Sequence, residues 1–187
     1  MRLMLHYRGI LRSNGSPSHK HDLRQHFHKQ LKTLWSHVPL NEESRYLLQP
    51  RTPGNYCFLR PLNGFTFVPL ITAEMNVVAE LSVTILRPES PGNLITQGGD
   101  IDNRLKTLFD ALTMPRLPNA LPTSAAPTMD ETPFFYCLLE DDNLVTAVSV
   151  RTEQLLEPNI DPTLVEVLVH VQTSVTRATM GNQTFAY

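Results

Sequence analysis

Residues 98–112 read GGDIDNRLKTLFDAL, and this stretch decides the expected fold because its pattern is that of an amphipathic helix. Five apolar residues recur at helical spacing: Ile101, Leu105, Leu108, Phe109 and Leu112. Beside them runs a charged stripe of Asp102, Lys106 and Asp110, spaced i, i+4, i+8. We predict a helix over about 101–113, entered through the paired acids Asp100 and Asp102.

Strand patterns lie on both sides of this helix. The clearest are residues 76–88 and 163–175, where apolar and polar residues alternate. Weaker candidates are residues 2–11, 64–70 and 144–152. An earlier helix is predicted to have Ser18 as its N-cap and to end by Pro39. Its expected buried stripe is Leu23, Phe27, Leu31, Leu34 and Trp35, and its expected off-stripe residues are Lys20, Arg24, His28 and Lys32.

Length and composition bound the class of protein. A chain of 187 residues with 41% hydrophobic and 18% charged residues is typical of one globular domain. It has neither a signal-peptide pattern nor an apolar run of about 18 residues, so we expect a cytoplasmic protein without a membrane partner. Two cysteines, Cys57 and Cys137, without zinc-ligand spacing favour a reduced protein.

Charge is distributed unevenly along the chain. Residues 1–60 contain ten Lys and Arg against three Asp and Glu, whereas residues 61–187 contain six against fifteen. A basic part and an acidic part suggest one region that holds an anion and another that holds cations. The alternative is that the imbalance evens out once the chain is folded.

The acids of the opening stretch allow two interpretations. In the first, Asp100 caps the helix, Asp102 supports its first turn, and Lys106 pairs with Asp102 and Asp110. In the second, these acids join a later cluster, Glu140–Asp142, and hold a hard divalent cation that relieves the repulsion between carboxylates. Lys106 would then steady a phosphate.

The second interpretation gains from a resemblance. The run D-x-D-N-x-x-K-x-x-x-D-A-L, followed downstream by Asp141–Asp142, resembles the RusA family of Holliday junction resolvases. That resemblance implies an α/β (α+β) fold with a single mixed β-sheet and two main helices. It also implies a homodimeric endonuclease that uses Mg²⁺ or Mn²⁺ to nick branched DNA at four-way junctions.

The resemblance implies roles for individual residues as well. The metal-binding catalytic acids would be Asp100, Asp102 and Asp142, with Lys106 near the phosphate. Asn103, Asp110 and Asp141 would support the metal-binding residues without binding the metal themselves. Among these three, Asp110 would orient Lys106. Candidate DNA contacts lie around the loop at residues 13–15 and on the helices: Arg12, Asn14, Lys20, Arg24 and Arg104. An ordinary solvated helix face remains the alternative for the basic residues.

Three further expectations concern the rest of the chain. The nuclease domain is expected to span residues 1–175, with a basic part at 1–60 and a loose polar tail at 176–187. The proline-rich segment 114–137 departs from the family pattern and is expected to be a functional or mobile loop that shapes the DNA-facing rim. The histidine pairs of the first helix are expected at the surface, near phosphates, rather than on a metal.

Two other functions stay open at this point. One is a protein that binds branched DNA without cutting it. The other is a metal-dependent nuclease that acts on a different nucleic-acid structure. The long segment 114–137 is the reason to consider it.

Overall fold

A computed structural model describes residues 1–52, 56–88 and 101–185. The elements within these ranges are, in chain order, β1 Arg2–Ile10, α1 Pro17–Trp35, α2 Leu40–Leu47, β2 Arg60–Leu62, β3 Phe65–Ile71, β4 Val77–Arg87, α3 Ile101–Leu112, β5 Phe135–Leu139, β6 Val145–Gln154 and β7 Leu164–Val175. The predicted α+β class is confirmed. The prediction of a single sheet is wrong, because the strands form two sheets.

The larger sheet has four strands in the order β1-β7-β4-β6. Strand β7 is antiparallel to both β1 and β4, and the edge strand β6 runs parallel to β4. Alternate residues of β4 and β7 are buried, which is the pattern of a sheet with one face in the core. The predicted strands at 76–88 and 163–175 are therefore confirmed, and they form the centre of this sheet.

The smaller sheet has three strands in the order β2-β3-β5. Strand β3 is buried along nearly its whole length, and it pairs antiparallel with β2 and parallel with β5. Strand β5 begins inside the proline-rich segment that was predicted to be a loop. A separate apolar cluster forms on this sheet from Phe65, Phe67, Leu121, Phe135 and Cys137. Segment 114–137 thus contributes to a core, and both cysteines are free and buried.

Helix α1 begins two residues earlier than predicted. Its N-cap is Ser16, whose Oγ accepts a hydrogen bond from the His19 N–H at 3.2 Å, and Pro17 occupies the first turn. The predicted stripe of Leu23, Phe27, Leu31 and Trp35 is buried, while Leu34 is partly buried.

Two further regions are ordered parts of the fold: helix α2, and the polar tail that was predicted to be loose. Helix α2 lies within residues 39–63 and buries Leu40 and Leu47. The polar tail is also anchored, because Phe185 is fully buried in the main core. The side-chain amide of Asn182 donates to the carbonyl oxygens of Met75 and Arg177, each at 2.8 Å. The expectation of a loose tail is therefore wrong as far as residue 185.

Across the described ranges, no helix combines the length and the apolar composition that a membrane-spanning segment needs.

Candidate active site

The first two turns of α3 are held against the loop that precedes α1. The backbone N–H of Gly15 donates to Thr107 Oγ1 at 2.9 Å, and that hydroxyl donates to the carbonyl oxygen of Asn103 at 3.1 Å. A Cβ on Gly15 would lie 2.7 Å from Thr107 Cγ2, so a side chain would push the two segments apart. The predicted supporting residue Asn103 thus takes part in this packing through its backbone.

Asp102 lies in the first turn of α3 and is exposed. Its Oδ1 accepts the N–H of Asn103 at 2.8 Å, which uses one lone pair, and the rest of the carboxylate has no partner among the described residues. An acid at this position is also favoured by the helix dipole. Asp100, predicted to be its partner, falls outside the described residues.

The acidic cluster after β5 divides into structural and open carboxylates. Glu140 accepts hydrogen bonds from Arg60 Nε at 2.7 Å and from the Ala73 N–H at 3.1 Å. Asp141 accepts the N–H of Asn143 at 3.0 Å and forms an ion pair with Arg116. Asp142 follows in a short 3-10 turn and is exposed. Its carboxylate has no hydrogen bond or ion pair within the described ranges.

These two regions meet in one open cleft of about 540 Å³, which we call the acidic cleft. It lies between α3 and the start of β6. Its lining residues are Asp102, Leu105, Lys106, Phe109, Asp110, Asp142, Asn143, Val145 and Val148. The structure therefore brings the predicted residues Asp102, Lys106 and Asp142 to one surface, although Asp142 is far from the other two in sequence.

Asp110 has a different partner from the one predicted. Its Oδ2 lies 2.6 Å from Lys20 Nζ, so the ion pair joins α3 to α1. A pairing of Asp110 with Lys106 is not among the contacts of the described residues. Lys106 is exposed at the acidic cleft, where its ammonium group is accessible to a ligand.

The predicted DNA contacts have different environments. Arg12 and Asn14 are exposed on the loop before α1, and the Arg12 N–H donates to His19 Nε2 at 3.2 Å. Asn14 adopts a positive φ of 52°, a conformation that asparagine tolerates better than most residues. Arg104 is partly buried and donates from Nη1 to the Leu11 carbonyl oxygen at 2.9 Å.

Arg24 was predicted to lie off the buried stripe, and this is wrong. Its exposure is 3%. Its Nη2 donates to the Asp110 carbonyl oxygen at 2.7 Å and its Nε to that of Thr113 at 3.2 Å. The guanidinium group therefore caps the C-terminal turn of α3, where a cation is favoured by the helix dipole. Burial lowers the pKa of Arg24.

Two of the histidines predicted to be at the surface are also buried. His28 Nδ1 accepts the N–H of Tyr136 at 2.8 Å, and its Nε2 lies 3.3 Å from the Asp130 carbonyl oxygen. These partners define a neutral ring that is protonated at Nε2. Burial lowers the pKa of both His21 and His28. In the described part of the chain, no group of three or more His, Cys, Asp or Glu side chains is placed to hold a metal.

A second cleft of about 390 Å³ adjoins the acidic cleft, and we call it the basic cleft. The two share Asp110 and Asp142 in their walls. Its lining residues are Pro17, Lys20, Arg24, Asp110, Thr113, Met114, Pro115, Arg116, Asn119, Ala120 and Asp142. Arg116 and Asn119 could not be predicted from sequence, because no spacing within the proline-rich segment points to either residue.

Comparison of this chain with protein-family models, with curated proteins and with solved structures finds no match.

Proposed function

We propose that this protein is a metal-dependent, structure-selective DNA endonuclease that nicks four-way junctions by phosphodiester hydrolysis. The observation that carries the proposal is the acidic cleft, where Asp102 and Lys106 of α3 meet Asp142 from a distant part of the chain. The RusA-like spacing of the sequence assigns these same residues to the reaction centre. An acidic helix start that served only as a cap would not require Asp142 in the same cleft without a partner among the described residues.

The donor chemistry of the cleft suits a hard divalent cation. Asp102 and Asp142 offer carboxylate oxygens with unused lone pairs, and Mg²⁺ is commonly held by one or two carboxylates together with water and substrate phosphate. We propose that these two residues, with Asp100, hold Mg²⁺ or Mn²⁺. When bound, such an ion supplies an activated water and charge stabilisation at the phosphate.

The remaining residues of the cleft would position the substrate. Lys106 is exposed beside the two carboxylates and would donate to a non-bridging oxygen of the scissile phosphate as negative charge develops. Leu105, Phe109 and Val148 provide the apolar part of the cleft wall. Asp110 would keep α1 and α3 in register through its ion pair with Lys20.

DNA would be held through backbone phosphates around the cleft. Arg12 and Asn14 are exposed on the loop that packs against α3 at Thr107, close in the chain to Lys20. Phosphate contacts of this kind release counterions, so junction binding should weaken steeply with salt. Two subunits related by a two-fold axis would present two clefts to the two-fold junction.

The test is a nicking assay on a labelled synthetic four-way junction, with linear duplex alongside, in Mg²⁺, Mn²⁺ or EDTA. We expect symmetric nicks in either metal and none in EDTA. Asp102→Asn should lower the nicking rate by at least ~100-fold, since even residues that support a metal ligand change activity by 10- to 100-fold. Asp22→Asn is the matched control, because Asp22 is exposed on α1 and lines neither cleft.

Each outcome bears on one interpretation. Tight junction binding without nicks by the unmodified protein would replace the proposal with non-catalytic recognition of branched DNA. Equal nicking of the duplex or of another structure would support the nuclease activity and contradict the preference for four-way junctions. If Asp22→Asn lost as much activity as Asp102→Asn, the acidic cleft would not be the reaction centre.

A further inference from the structure

Arg24 has an incomplete set of hydrogen bonds. Its Nε and Nη2 donate to backbone carbonyl oxygens, but its Nη1 is buried and has no partner within the described ranges. A buried donor without an acceptor is unfavourable, and the guanidinium group can donate to an anion through several N–H groups at once. The side chain also lines the basic cleft. Arg24 therefore gives the cleft a largely buried cationic wall whose hydrogen bonds are incomplete among the described residues.

Other groups in the basic cleft favour an anion. Lys20 and Arg116 line it together with Arg24, and the amide of Asn119 adds an uncharged donor. The cleft includes Pro17 in the first turn of α1, a 19-residue helix with no acidic residue in that turn. The dipole of α1 therefore adds positive potential.

Two carboxylates, Asp110 and Asp142, also line the basic cleft. Asp110 is already neutralised by Lys20 at 2.6 Å. The ion pair of Arg116 is with Asp141, which lies outside the lining, and the Arg116 side chain remains 60% exposed. Once Asp141 is counted, the three cationic side chains are balanced by three carboxylates. The preference for an anion therefore rests on the hydrogen-bond donors of Arg24 and Asn119 and on the dipole of α1.

We propose that the basic cleft is a subsite for one phosphate group of a nucleic-acid backbone, beside the acidic cleft. The assignment to nucleic acid rests on the proposed nuclease function, whereas the binding of phosphate rests on the cleft alone. Because the clefts share Asp110 and Asp142, a strand whose scissile phosphate lies at Lys106 would place a neighbouring phosphate against Arg24 and Arg116. The proline-rich segment would then position substrate through Arg116 and Asn119.

Inorganic phosphate is the first probe, titrated without divalent metal into ¹⁵N-labelled full-length protein, with chloride adjusted to hold ionic strength constant. We expect saturable shifts of the backbone amides at residues 116 and 119. Arg116→Gln should weaken phosphate binding by about tenfold, the size of one lost charge-assisted hydrogen bond. Asn119→Ala should weaken it by about threefold, because it removes a neutral donor.

Arg151→Gln is the control for net charge, since Arg151 is exposed on β6 and lines neither cleft. It should leave phosphate affinity unchanged. Thermal unfolding of each variant separates lost binding from lost structure, and Asn119→Ala preserves the Arg116–Asp141 ion pair. Equal weakening by Arg151→Gln, or unchanged affinity in both cleft variants, would overturn the subsite.

Two short oligonucleotides separate the sources of the phosphate. If the subsite takes a terminal phosphate, a 5′-phosphorylated oligonucleotide should bind more tightly than its unphosphorylated form. If it takes an internal phosphodiester, the two should bind alike. In both cases Arg116→Gln should weaken binding, and an oligonucleotide whose affinity does not respond to that change would overturn the nucleic-acid assignment.

The subsite and the nuclease can fail separately. Asp142→Asn should abolish nicking but retain phosphate binding, because it removes a carboxylate from the cleft. If the protein binds phosphate at residues 116 and 119 but never nicks a junction, the subsite would stand and the nuclease proposal would be wrong. If the protein nicks junctions but phosphate causes no shift of the amides at residues 116 and 119, the nuclease proposal would stand and the subsite would be wrong.

Discussion

Helices α1 and α3 both carry a polar stripe beside their apolar residues, yet the two stripes have opposite surroundings. Arg24 and His28 of α1 are buried, whereas Asp102 and Lys106 of α3 are exposed at the acidic cleft. The difference follows from the neighbours of each helix. Helix α1 packs against β1, β5, α2 and α3, whereas α3 packs against α1 and β5. Tertiary partners, rather than helical periodicity, decide whether a polar stripe reaches solvent.

The two stripes accordingly differ in what they can do. A buried polar side chain needs hydrogen-bond partners, and Arg24 and His28 find most of theirs in backbone groups of other segments. They therefore fix the position of α1 relative to α3 and β5. The exposed stripe of α3 keeps its carboxylate and ammonium groups available to a ligand. Helix α1 thus stabilises the arrangement of the elements around the site, and helix α3 carries the exposed charged groups of the acidic cleft.

Arg24→Ala gives the largest expected effect on this comparison. We expect it to lower the free energy of unfolding by about 3 kcal/mol, because it removes charged hydrogen bonds to two carbonyl groups and leaves a cavity. Lys106→Ala, the counterpart on α3, should stay within about 0.5 kcal/mol of the unmodified protein. Urea unfolding measures both. Equal losses would show that the two stripes are not energetically different.

The local parts of the fold were predictable from sequence because they depend on local patterns. Strands β4 and β7 and helix α3 lie where alternation and helical spacing indicated. The division into two sheets was not predictable in this way, because it depends on the parallel pairing of β3 with β5, two segments far apart in the chain. Strand β5 has only five residues, and its proline-rich approach gave no strand signal.

The residues of the candidate site also differ in whether a local sequence pattern predicts them. Asp102 and Lys106 could be identified from spacing on one helix, and Asp142 from an acidic pair that follows a buried apolar run. Arg116 lies in a segment without periodicity, and its place beside Asp141 depends on how that segment folds back. The burial of Arg24 likewise depends on α3 and β5 covering α1, which its own sequence does not encode.

A second prediction concerns pH. Burial lowers the pKa of folded His28 below its ordinary value of 6.5, so the unfolded chain binds more protons than the folded one as the pH falls through this range. Protonation would also place a hydrogen on Nδ1, which accepts the Tyr136 N–H. The free energy of unfolding should therefore be highest above about pH 6.5 and should fall as the pH is lowered toward the folded pKa.

His28→Gln should flatten this dependence, since glutamine keeps an acceptor but does not titrate. His37→Gln is the control, because His37 is exposed. Urea unfolding at neutral and mildly acidic pH gives the slope for each protein. A slope that His28→Gln leaves unchanged would place the pH sensitivity elsewhere, with His21 as the next residue to test.

The smallest expected effect concerns the ion pair that joins the two helices. Lys20 and Asp110 are partly exposed, with side-chain exposures of 25% and 40%, so their coupling should be about 0.5 kcal/mol and should weaken with salt. A double-mutant cycle of Lys20→Met and Asp110→Asn measures it.

The parallel cycle of Lys106→Met and Asp110→Asn should give a coupling near zero, because Asp110 pairs with Lys20 on α1. A larger coupling to Lys106 would restore the pairing predicted from helical spacing. In that case α3 would orient its own lysine, and the acidic cleft would not depend on α1 for that part of its geometry.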